Sequence, residues 1–99
     1  MEKNVWSIYI IRCGDRSLYT GISNDVAKRF AVHKSGKHPA AKYTRTRHPL
    51  ELVFTAEIGT RSAASMIEYR VKQLHKKTKE RLVAGTTSLL KLGLIDTEQ

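Results

Sequence analysis

Two short apolar runs near the start of the chain, separated by a turn, constrain its fold more than any other feature. Residues 5–12 read Val-Trp-Ser-Ile-Tyr-Ile-Ile-Arg. β-Branched and aromatic side chains at this density suit a pleated strand. Gly14-Asp15 then marks a turn, and residues 17–22 read as a returning strand. The chain therefore opens on a β-hairpin.

The elements that follow complete a single domain. Ser23, Asn24 or Asp25 can cap a helix that runs to about Lys34, with Val26, Ala27, Phe30 and Ala31 as its apolar face. Residues 35–49 read as a long basic loop broken by Gly36 and Pro39, and residues 50–58 as a third strand ended by Gly59. Thr60 or Ser62 caps a second helix to about His75, striped by Ala63, Ile67, Val71 and Leu74. Residues 78–83 read as a short third helix ending at Gly85. The order β-β-α-β-α-α predicts an α+β domain, with a small three-stranded antiparallel sheet flanked by helices. Residues 1–85 form this domain. Residues 86–99 form a tail carrying Leu89, Leu90, Leu92, Leu94 and Ile95. That tail is expected to dock on the domain or on a partner, or to be partly disordered. It is the candidate surface for a protein partner or for self-association.

Ninety-nine residues, 40% of them hydrophobic, fit one globular domain. No stretch approaches the roughly 18 apolar residues of a membrane span, so no membrane partner is expected. The one cysteine, Cys13, excludes an internal disulfide and reads as a buried strand residue. With no signal-peptide layout at residues 6–12, the expected location is cytoplasmic. Charge says more about function. Lysine and arginine total 18 against 9 acidic residues, a formal net charge of +9. Between Val26 and Pro49 stand Lys28, Arg29, Lys34, Lys37, Lys42, Arg45 and Arg47, with no acidic residue among them. A second cluster, Lys72, Lys76, Lys77, Lys79 and Arg81, is offset only by Glu80. Clustering of one sign over one segment is what tracking a phosphate backbone requires, so the expected partner is a nucleic acid.

Ser7-Ile8-Tyr9, Tyr19-Thr20-Gly21, Arg29 with His33 one turn later, and Glu68 on the second helix occur in that order. Together they resemble the signature of the GIY-YIG nuclease superfamily, and the likeness runs from Trp6 to about Gly85. The stretches around Lys42-Tyr43-Thr44-Arg45 and Glu68-Tyr69-Arg70-Val71 resemble the small bacterial proteins of the YhbQ type. The resemblance implies a metal-dependent endonuclease acting on DNA, possibly selective for its structure, with one Mg²⁺ or Mn²⁺ held by Glu68. It implies Tyr9 as general base, Tyr19 as a positioning group, Arg29 at the phosphate, and His33 hydrogen-bonded either to Tyr9 or to the phosphate. A non-catalytic nucleic-acid-binding module on the same scaffold and a nuclease acting on RNA are the alternatives.

Each role has a physical basis. A single carboxylate suffices for Mg²⁺, which keeps several waters and takes oxygen from phosphate. Glu68 four residues before Lys72 also reads as a helical ion pair. A tyrosine near pKa 10 needs help from its surroundings to act as a base at neutral pH. An arginine offers a bidentate donor matched to phosphate oxygens. Lys28, Lys34, Lys37, Lys42, Arg45, Arg47 and Lys72 are expected nucleic-acid contacts. Tyr43 either stacks on an unpaired base or anchors the loop. Gly21 can end its strand and let the backbone bend near a ligand. His38, His48 and His75 lack convincing metal spacing.

Two features bear on the resemblance. Ser7 and Thr20 stand where the family name has glycine and isoleucine, and no asparagine follows Glu68, where many members have one. A shared site also sets a condition on the hairpin. Tyr9 and Tyr19 lie on one face only if paired residue numbers sum to an even value. A two-residue Gly14-Asp15 loop separates them. A three-residue loop at 14–16, closed by Cys13 and Ser17, sets Tyr19 opposite Ile11 and beside Tyr9.

Overall fold

The computed structural model describes residues 4–96. Three strands, β1 (Trp6–Arg12), β2 (Leu18–Ser23) and β3 (Glu51–Gly59), form one sheet in the order β2-β1-β3. Both pairings are antiparallel. Four helices complete the fold: α1 (Val26–Ser35), α2 (Lys42–Arg45), α3 (Arg61–Lys72) and α4 (Lys76–Ala84). The expected α+β class and strand–helix order are both present. The one-turn α2 is an addition, inside the segment expected to be an unbroken loop.

The hairpin loop has three residues. Cys13 N–H donates to the Ser17 carbonyl at 2.9 Å and Arg16 N–H to the Cys13 carbonyl at 2.9 Å. Arg16 has φ 72°, the left-handed residue that ends such a loop. The register sets Ile11 against Tyr19 and Tyr9 against Gly21, so both tyrosines lie on one face.

β1 is the central strand and separates two apolar clusters. Its even-numbered Ile8 and Ile10 pack with Ile67, Val71, Leu82 and Leu89, under α3, α4 and the tail. Its odd-numbered Tyr9 and Ile11 pack with Cys13, and Val26, Phe30, Leu50 and Leu52 lean on them. Leu92, Leu94 and Ile95 of the tail pack against the first cluster. Residues 97–99, the end of that tail, lie outside the described residues, as do residues 1–3 at the other end of the expected domain. Among the described residues no helix is long and apolar enough to cross a membrane.

Two helix faces differ from expectation. On α1, Ala27 and Ala31 are exposed, and the buried residue is His33. The stripe is Val26, Phe30 and His33, and its polar member hides it from a count of apolar residues. On α3 the buried alanine is Ala64, not Ala63. Spacing three and seven residues ahead of Ile67 and Val71 selects it. The helix starts are capped as the side chains allow. Asp25 accepts from Lys28 N–H at 3.2 Å, and Thr60 from Ala63 N–H at 3.0 Å.

Candidate active site

Tyr9 sits at the middle of β1, 2% exposed, and its ring runs across the edge strand β2. It can do so because its partner there is Gly21. A Cβ at Gly21 would stand 2.5 Å from Tyr9 Cζ, closer than such atoms approach. Gly21 lies inside β2, which continues to Ser23, so it does not end the strand as expected. Its lack of a side chain makes room for the ring.

Behind the phenol is a buried polar chain. Tyr9 Oη lies 2.8 Å from His33 Nε2, and His33 Nδ1 lies 3.1 Å from Thr44 Oγ1. His33 and Thr44 are both 0% exposed. Tyr19 packs its ring edge-on to His33, with centroids 5.5 Å apart. α1 carries His33 in its last turn, and Gly36, with φ 69°, closes the helix three residues later with its N–H on the His33 carbonyl. Arg29, one turn earlier, donates from Nη1 to the Pro39 carbonyl at 2.9 Å.

These surroundings set the protonation states. Burial pushes the Tyr9 phenol up to about 12, and the nearby Tyr19 and Glu68 add to the rise while Arg29 opposes it. Burial, reinforced by the Arg29 charge, pulls His33 down to about 4. At neutral pH both groups are therefore uncharged, and Tyr9 alone is a poor base.

Glu68 on α3 is half-buried, and its charge reaches Tyr9. One carboxylate oxygen lies 3.2 Å from Lys72 Nζ, the ion pair that their spacing allows. Among the described residues no group of three or more His, Cys, Asp or Glu side chains could hold a metal. The carboxylate expected to hold a divalent ion, Glu68, therefore has no closed set of protein ligands around it. This fits a hydrated cation completed by water and phosphate, and does not fit a closed protein cage.

The other candidate residues divide in two groups. Lys28, Lys34, Lys37, Lys42, Arg45 and Lys72 are exposed. Arg47 is instead engaged within the protein. It pairs with Asp15 at 3.1 Å, donates to the Tyr43 carbonyl at 2.8 Å, and lies 3.8 Å from the centre of the Tyr43 ring. Tyr43 stacks on Tyr19 with centroids 5.9 Å apart and an interplanar angle of 26°. It is still 38% exposed, so it anchors the loop while presenting part of its ring. His38, His48 and His75 are exposed. Thr44 is the residue that sequence reasoning missed as part of the site. It lies in the stretch Lys42–Arg45, but a hydroxyl among cations carries no chemical signal of its own.

Comparison with known proteins places this geometry in context. A family model described as the GIY-YIG catalytic domain matches residues 5–81. A UPF0213 protein of Cronobacter sakazakii is 56% identical over 80 residues, which cover 81% of this chain and 82% of that protein. The UPF0213 protein YhbQ of Salmonella typhimurium is 53% identical over 78 residues, covering 79% of this chain and 76% of its own. Among solved structures, the solution NMR structure of a UPF0213 protein from Bacillus halodurans is 40% identical. It covers 88% of this chain and 90% of its own, with a TM-score of 0.52.

Proposed function

Because the chain belongs to the GIY-YIG catalytic domain family, whose members are nucleases, we propose that it is a metal-dependent endonuclease that hydrolyses phosphodiester bonds in DNA. The observation that carries this reading is the buried pair of Tyr9 and His33, 2.8 Å apart, with Arg29 beside it. A surface that only binds phosphate has no use for a phenol and an imidazole held together out of water.

Glu68 is the residue that would hold one Mg²⁺ or Mn²⁺. When bound, such an ion neutralises charge on the phosphate and makes a water easier to deprotonate. Arg29 supplies a planar cationic donor for the phosphate oxygens. Tyr9 Oη and His33 Nε2 share a proton across 2.8 Å, so a proton reaching Tyr9 has a buried base behind it. Tyr19 holds the imidazole edge and keeps Tyr43 in place. The exposed Lys28, Lys34, Lys37, Lys42 and Arg45 track the backbone on either side, with Lys72 beside the carboxylate. A reducing, cytoplasmic setting suits the single buried Cys13.

The test is a Mg²⁺ and Mn²⁺ cleavage panel on duplex, branched and single-stranded DNA and on RNA. Glu68→Ala should abolish cutting while binding persists. Arg29→Ala should slow cutting by about 100–1000-fold, the usual loss when one transition-state donor is removed. Cleavage that survives chelation and Glu68→Ala would defeat the metal role. Binding without cleavage on every substrate would instead support the non-catalytic module, and preferential cutting of RNA the RNA-directed nuclease.

A further inference from the structure

We propose that Thr44 is a positioning residue for the reaction. It holds His33 in the tautomer that carries its proton on Nδ1, so that Nε2 is free to accept from Tyr9. The proposal rests on the nuclease reading for its catalytic consequence, and on geometry alone for the tautomer.

Proton accounting leads to this assignment. A hydroxyl has one proton to give, and Thr44 Oγ1 donates to the Ala41 carbonyl at 3.0 Å. Toward His33 Nδ1, 3.1 Å away, the same oxygen can then only accept. Nδ1 must carry the proton, which leaves a lone pair on Nε2. The other end of the chain gives the same answer independently. Among the described residues Tyr9 Oη is hydrogen-bonded to His33 Nε2, and the other polar group acting on it from nearby is the Arg29 guanidinium. A guanidinium only donates. The Tyr9 proton therefore has one acceptor available, His33 Nε2, and with a proton already there the buried phenol O–H would be left unpaired.

The resulting relay runs in one direction: Tyr9 O–H to His33 Nε2, His33 Nδ1–H to Thr44 Oγ1, Thr44 O–H to the Ala41 carbonyl. Atoms balance simply. When Tyr9 takes a proton from an incoming water, its own proton passes to Nε2; burial and the Arg29 charge disfavour the resulting imidazolium, so it is transient, and the proton returns through Tyr9 to the oxygen released as the P–O bond breaks. Thr44 Oγ1 is hydrogen-bonded to the imidazole and to the Ala41 carbonyl, one group removed from the Tyr9 phenol. It acts through the imidazole, as the outer partners of ligating histidines do.

Nitrogen NMR on ¹⁵N-histidine protein reads the tautomer directly. The wild-type protein should show His33 protonated on Nδ1, and Thr44→Ser should preserve that signature. Thr44→Val should lose it, with mixed or inverted protonation of the ring. In cleavage assays Thr44→Val should lower kcat by about 10–100-fold with KM nearly unchanged, and Thr44→Ser should restore most of it. A wild-type ring protonated on Nε2 would overturn the proposal. So would a Thr44→Val protein that is folded and keeps both the wild-type tautomer and the wild-type kcat. Should Thr44→Val not fold, the wild-type and Thr44→Ser spectra still decide the tautomer. If the wild-type protein cuts no nucleic acid, the nuclease reading fails, while the spectra judge the tautomer on its own.

Discussion

Gly21 and His33 show how much of the site depends on single atoms. Because the Tyr9 ring already fills the space where a Gly21 side chain would begin, Gly21→Ala must move the ring or the strand. Overpacking of this kind typically costs about 1–3 kcal/mol. Here the displaced group is the phenol itself, so cleavage should fall further than the fall in melting temperature suggests; denaturation and kinetics on one sample check both. His33 gives a pH signature. Its folded value, about 4, lies below the ordinary 6.5, so on acidification the unfolded chain takes up this proton first. The stability His33 contributes is complete above about pH 6.5 and is lost progressively as pH falls toward 4. Asp15 and Glu80, held low by Ser17 and Arg12 respectively, lose their contributions only in the more acid range. Urea unfolding at intervals from about pH 7 to 4.5 should show the decline, and His33→Gln should flatten it. Both residues are legible in the motif, and so is the bond from His33 to Tyr9 as one of its two expected contacts; the space that Gly21 leaves for the Tyr9 ring is not. Gly21 reads as a strand-ending glycine until the register sets it against Tyr9, and the choice between Tyr9 and the phosphate for His33 waits on α1 turning it inward.

At the level of elements, the hairpin and the segment around α2 form one unit. Gly14 N–H donates to the Arg47 carbonyl at 2.6 Å, and Arg47 returns to Asp15 at 3.1 Å. α2 is a single turn with Thr44 inside and Lys42, Tyr43 and Arg45 outside. One turn is too short for hydrophobic periodicity to announce, which is why this segment read as a loop. The contact also fills the space over Gly14. A Cβ there would lie 2.7 Å from the His48 carbonyl carbon and 2.8 Å from Pro49 Cδ. Gly14→Ala should therefore loosen α2 and speed amide hydrogen exchange at Thr44 and Arg45, while leaving the β1–β3 amides protected. Longer elements were legible for the opposite reason. β1, β3 and α3 carry enough residues for their periods to show, although on α3 two adjacent alanines left the phase open. The hairpin loop length followed from requiring that Tyr9 and Tyr19 share a face. The tilt of the Tyr9 ring over β2 did not, since nothing local specifies it.

For the whole molecule, charge and architecture divide the work. The acid-free basic segment spans α1 and α2, beside the Tyr9 face of the sheet, while the main core lies on the other face. If about five phosphates are neutralised there, log affinity for duplex DNA should fall against log salt with a slope near −4 to −5. Charge-removing changes at Lys28, Lys37 or Arg45 should each reduce that slope by about 1; titrations at several salt concentrations measure it. A flat response would remove this surface as the contact. The sheet that keeps these faces apart has its centre in β1, and the alternation along that strand separates two kinds of damage. A change at Ile8 or Ile10 reduces how much protein a cell holds. Making more of it, or strengthening the fold elsewhere, can compensate. If Tyr9 has the role proposed above, its change to phenylalanine takes away the reaction itself, beyond what the lost hydrogen bond to His33 costs in stability, and no increase in dosage restores that. On that reading, damage at neighbouring positions of one strand differs in kind: added stability offsets a change at Ile8 or Ile10, and does not offset one at Tyr9.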